Sequence, residues 1–365
     1  MTGSSSLLLL SLSALAVVAV ALIGLTVQAR VSRRRRERAL ARVQGRYRHL
    51  LLEVASGEDE DRAAWAELAT LSRRDWASVR PAVIALLAKV RGKPAVELGA
   101  LVEGFGELAR AREGLTSRLA GRRARAAYLV GLARDAQAVP ALCRLLQDPS
   151  GDVRFVAARA LGMVGDPTVA SALLAAAGHQ PGVRDGHSGL PAWVAAEALL
   201  RIGPGCQDAV AQALSSKDAH VRAVAAQVAL HGSFPAALAP ARVCMLFEPE
   251  VGTKETLMAL LGTLGDPQDV SVLAAYLDPL VPARLRRAAV GALGHLGTPT
   301  AAERLARLLG DDDRSVATAA GDALAAMGER GHELLTSAMS GADAARRVAS
   351  ACLHLARLRA EVVPA

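Results

Sequence analysis

The stretch from Gly121 to Pro167 reads GRRARAAYLVGLARDAQAVPALCRLLQDPSGDVRFVAARALGMVGDP, and it contains the start of its own copy. Arg123-Ala-Arg-Ala-Ala-Tyr-Leu-Val-Gly131 returns as Arg154-Phe-Val-Ala-Ala-Arg-Ala-Leu-Gly162, a period of 31 residues. Apolar residues at helical spacing predict two helices joined by a short turn, after which the first helix begins again. Outward from this stretch, the apolar residue that ends each first helix is Val130, Leu161, Leu199, Ala229, Leu261, Leu293, Leu324 and Leu353. The spacings are 31, 38, 30, 32, 32, 31 and 29 residues. Glycine follows at Gly131, Gly162, Gly262 and Gly294. The turn then reads Gly-Asp-Pro from Gly165 and Gly265, and Gly-Thr-Pro from Gly297. Glycine ends a helix at little cost, and proline suits the first turn of the next, where its missing N–H is not needed.

Second helices carry their own apolar spacing, as in Val139, Leu142, Leu145 and Leu146, or Val270, Leu273, Ala274 and Leu277. Two helices per repeat cannot bury these faces alone, whereas stacked neighbours form one continuous core. The predicted fold is therefore all-α: an α-solenoid of stacked antiparallel helix pairs, preceded by one transmembrane helix. Leu145-Leu-Gln-Asp-Pro-Ser-Gly-Asp-Val-Arg154, Ala157-Ala-Arg-Ala-Leu-Gly162 and Gly165-Asp-Pro167 resemble the HEAT-repeat superfamily, in its short PBS-lyase HEAT-like form. The resemblance runs over about residues 121–360. It is specific for fold and carries little about function. The tetratricopeptide and ankyrin signatures are absent.

Of the 365 residues, 52% are hydrophobic but only 3% aromatic, which favours helix built from alanine and leucine. The formal net charge is +8. Nine arginines between Arg30 and Arg48 stand against one acid, Glu37, leaving 34 basic and 34 acidic residues elsewhere. A neutral body with few aromatics gives no overall footprint for nucleic acid. The cysteines Cys143, Cys206, Cys244 and Cys352 are scattered, with no C-x-x-C pair, and read as buried thiols rather than a zinc site.

Leu7 to Gln28 is a 22-residue run without a charge, about the length that crosses a bilayer core. Arg30, Arg33, Arg34, Arg35, Arg36 and Arg38 follow at once, and no Lys or Arg precedes the run. The positive-inside rule then puts the N-terminus outside and the repeats in the cytoplasm, as a single-pass protein of the plasma membrane. The expected organisation is a short extracytoplasmic segment over 1–6 and a transmembrane helix over 7–28. A basic juxtamembrane segment and an acidic, solvated loop cover 29–61. A helical cap or degenerate repeats fill 62–120, where Trp65 and Trp76 pack the helices, and the solenoid spans 121–365.

The recurrent basic residues Arg123, Arg154, Arg222, Lys254, Arg286 and Arg346 align as a ladder along a stack. The HEAT resemblance implies a structural role, bridging to turn acids such as Asp148, Asp278 and Asp311; a stripe for an acidic partner is the alternative. The third repeat is longer by about seven residues over 178–190. Its His179, Arg184, Asp185 and His187 are a candidate partner-contact loop, since loops on one face of a solenoid often bind. Asp311-Asp-Asp313 reads as a helix-start turn. We find no nucleophile elbow, P-loop or dinucleotide fingerprint. No catalytic residue, cofactor, metal or small-molecule substrate is expected. The function this supports is a membrane-anchored scaffold or regulatory adaptor that is not an enzyme. It would hold a protein partner, for instance another membrane protein, on its inner helical face and the Ile202-side loops. The alternatives are an enzyme or enzyme subunit of the PBS-lyase-like type and a nucleic-acid-binding solenoid.

Overall fold

The computed structural model describes residues 45–178 and 189–362. The apolar run 7–28 and the arginines from Arg30 to Arg38 lie outside the described residues. So does the loop carrying His179, Arg184, Asp185 and His187. Among the described residues no helix is long and apolar enough to cross a membrane.

The chain forms two compact units that part between Ala111 and Arg112. In the first, residues 45–56 are helical (α1), followed by Ala63–Ala69 (α2), Arg73–Leu87 (α3), Lys93–Gly104 (α4) and the start of Glu107–Gly114 (α5), whose last three residues belong to the second unit. Ser72 starts α3 by accepting the Asp75 N–H, the usual way a serine satisfies one orphan donor of a first turn. Trp76 is buried and stacks on Phe105 with ring centroids 4.1 Å apart. Its indole N–H reaches Glu107 at 3.2 Å. Trp65 is only part-buried and donates to the Glu97 carbonyl at 2.9 Å. The acidic loop is not wholly solvated. Asp59 is buried because its carboxylate accepts the Ala64 and Trp65 N–H groups at the start of α2.

In the second unit each repeat is a first helix, a tight turn and a shorter second helix. First helices are Ala120–Leu132 (α6), Gly151–Val164 (α8), Ala192–Ile202 (α10), Ala219–Gly232 (α12), Val251–Leu264 (α14), Ala283–Leu296 (α16), Arg314–Ala326 (α18) and Asp343–Val362 (α20). Second helices are Val139–Leu145 (α7), Ala170–Ala177 (α9), Gln207–Ala213 (α11), Leu238–Phe247 (α13), Asp269–Ala274 (α15), Pro299–Arg307 (α17) and Gly328–Ala338 (α19). Each first helix packs on the next, from α6 on α8 through α18 on α20. Among the described residues the unit is an all-helical solenoid.

Val130, Leu161, Leu199, Ala229, Leu261, Leu293 and Leu324 are fully buried at the centre of this stack. Each large aliphatic one contributes about 1.5–3 kcal/mol by leaving water. In the last repeat the register differs from the sequence reading. Ala349 and Cys352 are buried, whereas Leu353 is half-buried.

The glycine after each buried residue does not end its helix. Gly131, Gly162, Gly262 and Gly294 lie within α6, α8, α14 and α16. A Cβ on Gly131 would stand 2.7 Å from the Ala160 Cα, and one on Gly162 would stand 2.8 Å from the Ala198 Cα. These glycines let neighbouring first helices touch backbone to backbone. The helix stop comes three residues later: Gly165 has φ 79° and Gly297 φ 63°, left-handed values that glycine adopts freely. Gly265, with φ −68° and ψ 178°, leaves its helix by extended backbone instead. Asp166 and Thr298 then accept N–H groups at the start of the following segment.

Candidate functional site

The ladder residues are set by the turns between repeats. Arg123 donates to the Ser117 and Arg118 carbonyls of the turn before it and, with two nitrogens, to both Asp148 oxygens at 2.6 and 2.7 Å. Arg222 does the same with the Ser216 and Lys217 carbonyls and with Glu248, at 2.6 and 3.1 Å. Arg286 pairs with Asp311. A planar guanidinium suits this double duty because its donors form a rigid fork. The acids also order their own turns: Asp148, Glu248 and Asp311 accept the N–H two residues on, from Ser150, Glu250 and Asp313. Asp313 in turn caps α18 through Ser315.

The other ladder positions are placed differently. Arg154 donates to the Asp148 and Pro149 carbonyls, while the next inter-repeat turn lies outside the described residues. Lys254, a point charge without the fork, sits 5.5 Å from the Tyr276 ring centroid, and Asp278 accepts the Leu280 N–H. Arg346 stays within its own turn, on the Gly341 carbonyl and Asp343.

Burial on its own would raise the Asp148 carboxyl, but the hydrogen bonds from Arg123 and Ser150 outweigh it and hold the group below the usual carboxylate range. Glu248 is held low in the same way, against burial, by Arg222 and the Glu250 N–H. A second set of pairs escaped the sequence reading. Arg112 bridges to Asp135, and Arg242 reaches Asp269 at 2.6 and 2.8 Å and Asp266 at 3.0 Å. Asp269 is fully buried, and Arg242 keeps its carboxyl low against that burial. The available signal is an aspartate in or just after the turn that follows a first helix, together with an arginine 23–27 residues before it.

The charged groups named so far are mostly used up in holding repeats together. A different set lies open on α6, α8 and α10. Phe155 and Trp193 hold equivalent positions in consecutive repeats, and their ring centroids are 5.6 Å apart at 59°. The Arg159 guanidinium lies 5.6 Å from the Phe155 ring centroid and 3.2 Å from Glu197, which also takes Arg201 at 2.9 Å. Tyr128 occupies in α6 the position that Arg159 holds in α8. Trp193 is 59% exposed and Tyr128 43%. With helix axes 8–10 Å apart, the face is about 20 Å across. Large rings and arginine left in water together are the residue types that carry binding energy at protein interfaces.

A smaller apolar strip lies on α13, where Val243, Leu246 and Phe247 are exposed. The corresponding outer face of α7 carries Arg144 and Gln147, both exposed. Among the described residues no group of His, Cys, Asp and Glu is arranged to hold a metal ion. Cys206, Cys244 and Cys352 are buried thiols and Cys143 is half-buried.

The model of the family described as HEAT repeats matches residues 108–187 and 281–356. The matched segments together make up less than half of the chain, and both lie mainly in the second unit. None of the curated proteins matches the sequence. Among solved structures, an engineered protein is 17% identical over 85% of this chain and 98% of its own length, with a TM-score of 0.38. A mutant of Kap121p is 12% identical over 82% of this chain and 44% of its own, at a TM-score of 0.40, so this chain spans less than half of Kap121p. The CpcE–CpcF complex of phycocyanin lyase from Nostoc sp. PCC7120 is 23% identical over 75% and 93%, at a TM-score of 0.26. Likenesses this distant carry no argument about what the repeats here bind. The Tyr128–Trp193 face lies on first helices within and directly after the matched segment 108–187.

Proposed function

We propose that this chain is a membrane-anchored scaffold whose HEAT repeats hold a protein partner and perform no chemistry of their own. The observation that carries the reading is the face on which Tyr128 and Trp193 are exposed beside half-buried Phe155 and Arg159. Large aromatic groups left in water on one face mark a protein contact more often than a chance feature of a surface. The anchor rests on the sequence: 22 uncharged residues from Leu7 to Gln28 followed by the arginine cluster. That order places the repeats at the cytoplasmic face of the plasma membrane, within reach of another membrane protein. The aromatic side chains supply the contact area and the flanking arginines orient the bound chain.

The test is site-specific photo-crosslinking of the full-length protein in its own membrane. A photoreactive phenylalanine analogue at Tyr128 or Trp193 should capture the same discrete protein. The same group at Leu280, 93% exposed just before α16, should not. Equal capture from all three positions, or none from Tyr128 and Trp193, would overturn the reading. Protease added outside intact cells should leave the repeats uncut; cleavage there would refute the topology.

A further inference from the structure

We infer that the partner segment seated on the Tyr128–Trp193 face is acidic, with an aromatic or aliphatic side chain that fills the space beside Trp193. This rests on the reading of that face as a docking surface. The repeat body is neutral overall, but its charge is unevenly spread along the stack. Helices α6, α8 and α10 carry six arginines, Arg122, Arg123, Arg125, Arg154, Arg159 and Arg201, against two acids, Asp152 and Glu197. Most of the surplus is on α6, with three arginines and no acid. Helix α16 also carries three, Arg284, Arg286 and Arg287, but two of them are engaged with Glu255 and Asp311, and no Phe, Tyr or Trp lies on that helix. The α6 surplus, unlike that of α16, lies beside exposed rings.

Arg123 and Arg154 are engaged with the turns between repeats, and Arg159 and Arg201 share Glu197. Arg122 and Arg125 are both exposed on α6, one and two turns before Tyr128. Arg125 donates to the Gly121 carbonyl of its own helix, and among the described residues neither pairs with a carboxylate. A guanidinium binds a carboxylate through two parallel N–H groups, so each can take one partner acid with defined geometry. The rings lie on the Trp193 side and the open arginines on the α6 side. A chain crossing the first helices would meet apolar surface at one end and positive charge at the other. The face is about 20 Å wide, which an extended segment of roughly six residues spans at about 3.3 Å each.

Arginine beside aromatic rings also suits single-stranded nucleic acid. The arrangement favours a peptide because Glu197, between Arg159 and Arg201, puts a carboxylate at the ring end of the face. A phosphate backbone would carry charge past that carboxylate, whereas a peptide can place its acids over Arg122 and Arg125 alone.

The test uses the full-length protein in lipid nanodiscs to select binders from a displayed library of random peptides. Competition by a thymidine oligonucleotide and variants W193A and R122E/R125E complete the experiment. Unchanged thermal unfolding of both variants shows that they are folded. The expected binders are rich in Asp and Glu around one aromatic or aliphatic residue. They should bind at least tenfold more weakly to either variant, and more weakly as salt is raised. Neutral or basic binders that still require Trp193 would overturn the acidic partner and leave the docking face standing. Binders indifferent to W193A, or no binders at all, would overturn the face and the acidic partner together. Oligonucleotide binding as tight as the peptides would replace the peptide by nucleic acid.

Discussion

Gly262 of α14 lies directly against Ala292 of α16. A Cβ on the glycine would come within 2.6 Å of the alanine Cα and 2.8 Å of its carbonyl oxygen. The obstacle is backbone, which cannot rotate away as a side-chain tip can. Helix separation at this step of the stack is therefore set by a missing methyl group. Gly262→Ala should destabilise the solenoid by about 1–3 kcal/mol, the usual cost of overpacking. Gly291 of α16 has open space where its Cβ would go. Gly291→Ala should instead leave stability unchanged or raise it by up to about 1 kcal/mol, from helix propensity. Urea unfolding midpoints of the two variants test this, and similar shifts in the same direction would sink it.

The Arg222–Glu248 pair predicts a second contrast. Glu248 has no exposed side-chain surface, so Arg222→Ala leaves its carboxylate buried without its charge partner. Losing one member of a buried pair costs about 3 kcal/mol or more. Arg284 and Glu255 form an equally short pair, but the Arg284 side chain is 62% exposed. Arg284→Ala should leave the unfolding midpoint where it is, because a solvated ion pair contributes little. Equal losses at the two sites would show that burial does not decide the strength of these staples.

Acid should loosen the stack from its inter-repeat turns. Asp148, Glu248 and Asp269 are all held low in the folded protein, with arginine donors prevailing over burial. Their unfolded values are about 3.9 for Asp and 4.3 for Glu. Because the folded values are the lower ones, this stabilisation is fully present above about pH 5. It is lost as pH falls through the folded values. Unfolding midpoints should stay level from pH 7 to about 5 and then drop. Glu248→Gln should lower the midpoint at pH 7 and flatten the acid limb; an acid limb as steep as the parent's would count against the assignment.

Thiol chemistry reads out the core. Cys206 and Cys244 are buried, and burial pushes both thiols up. Cys143 is half-buried and is raised by burial and by the Asp166 carboxylate. A chromogenic disulfide reagent at pH 8 should modify Cys143 first and slowly, while Cys206 and Cys244 react only on addition of denaturant. Rapid native labelling of Cys206 would mean that the third repeat opens far more readily than its packing implies.

Much of the architecture was legible because repetition writes the same physical demand many times. Val130, Leu161, Leu199, Leu261, Leu293 and Leu324 were placed in the core from spacing alone, and each is fully buried. The last repeat departs from the rule: Cys352 takes the inner position and Leu353 is half-buried. The glycine positions are legible in the sequence, but their role in helix contact is not. A period shows that Gly131 and Gly262 recur, but close approach to Ala160 and Ala292 depends on how the next helix is seated. Asp59 was read as solvated because its partners, the N–H groups of Ala64 and Trp65, are exposed for pairing only once α2 has formed.

By itself the sequence determined the helix pairs, their period, the buried series and the separation of positive charge from the repeat body. These follow from local periodicity and from counting, which need no third dimension. Only the tertiary structure decided which charges are consumed and which remain available. Arg123 and Arg125 stand two residues apart with the same chemistry. Yet Arg123 points across the repeat junction into Asp148, and Arg125 stays on the outer face of α6. The aromatic face is likewise a product of stacking. Tyr128, Phe155 and Trp193 are 65 residues apart from first to last, and packing three first helices side by side makes them one surface.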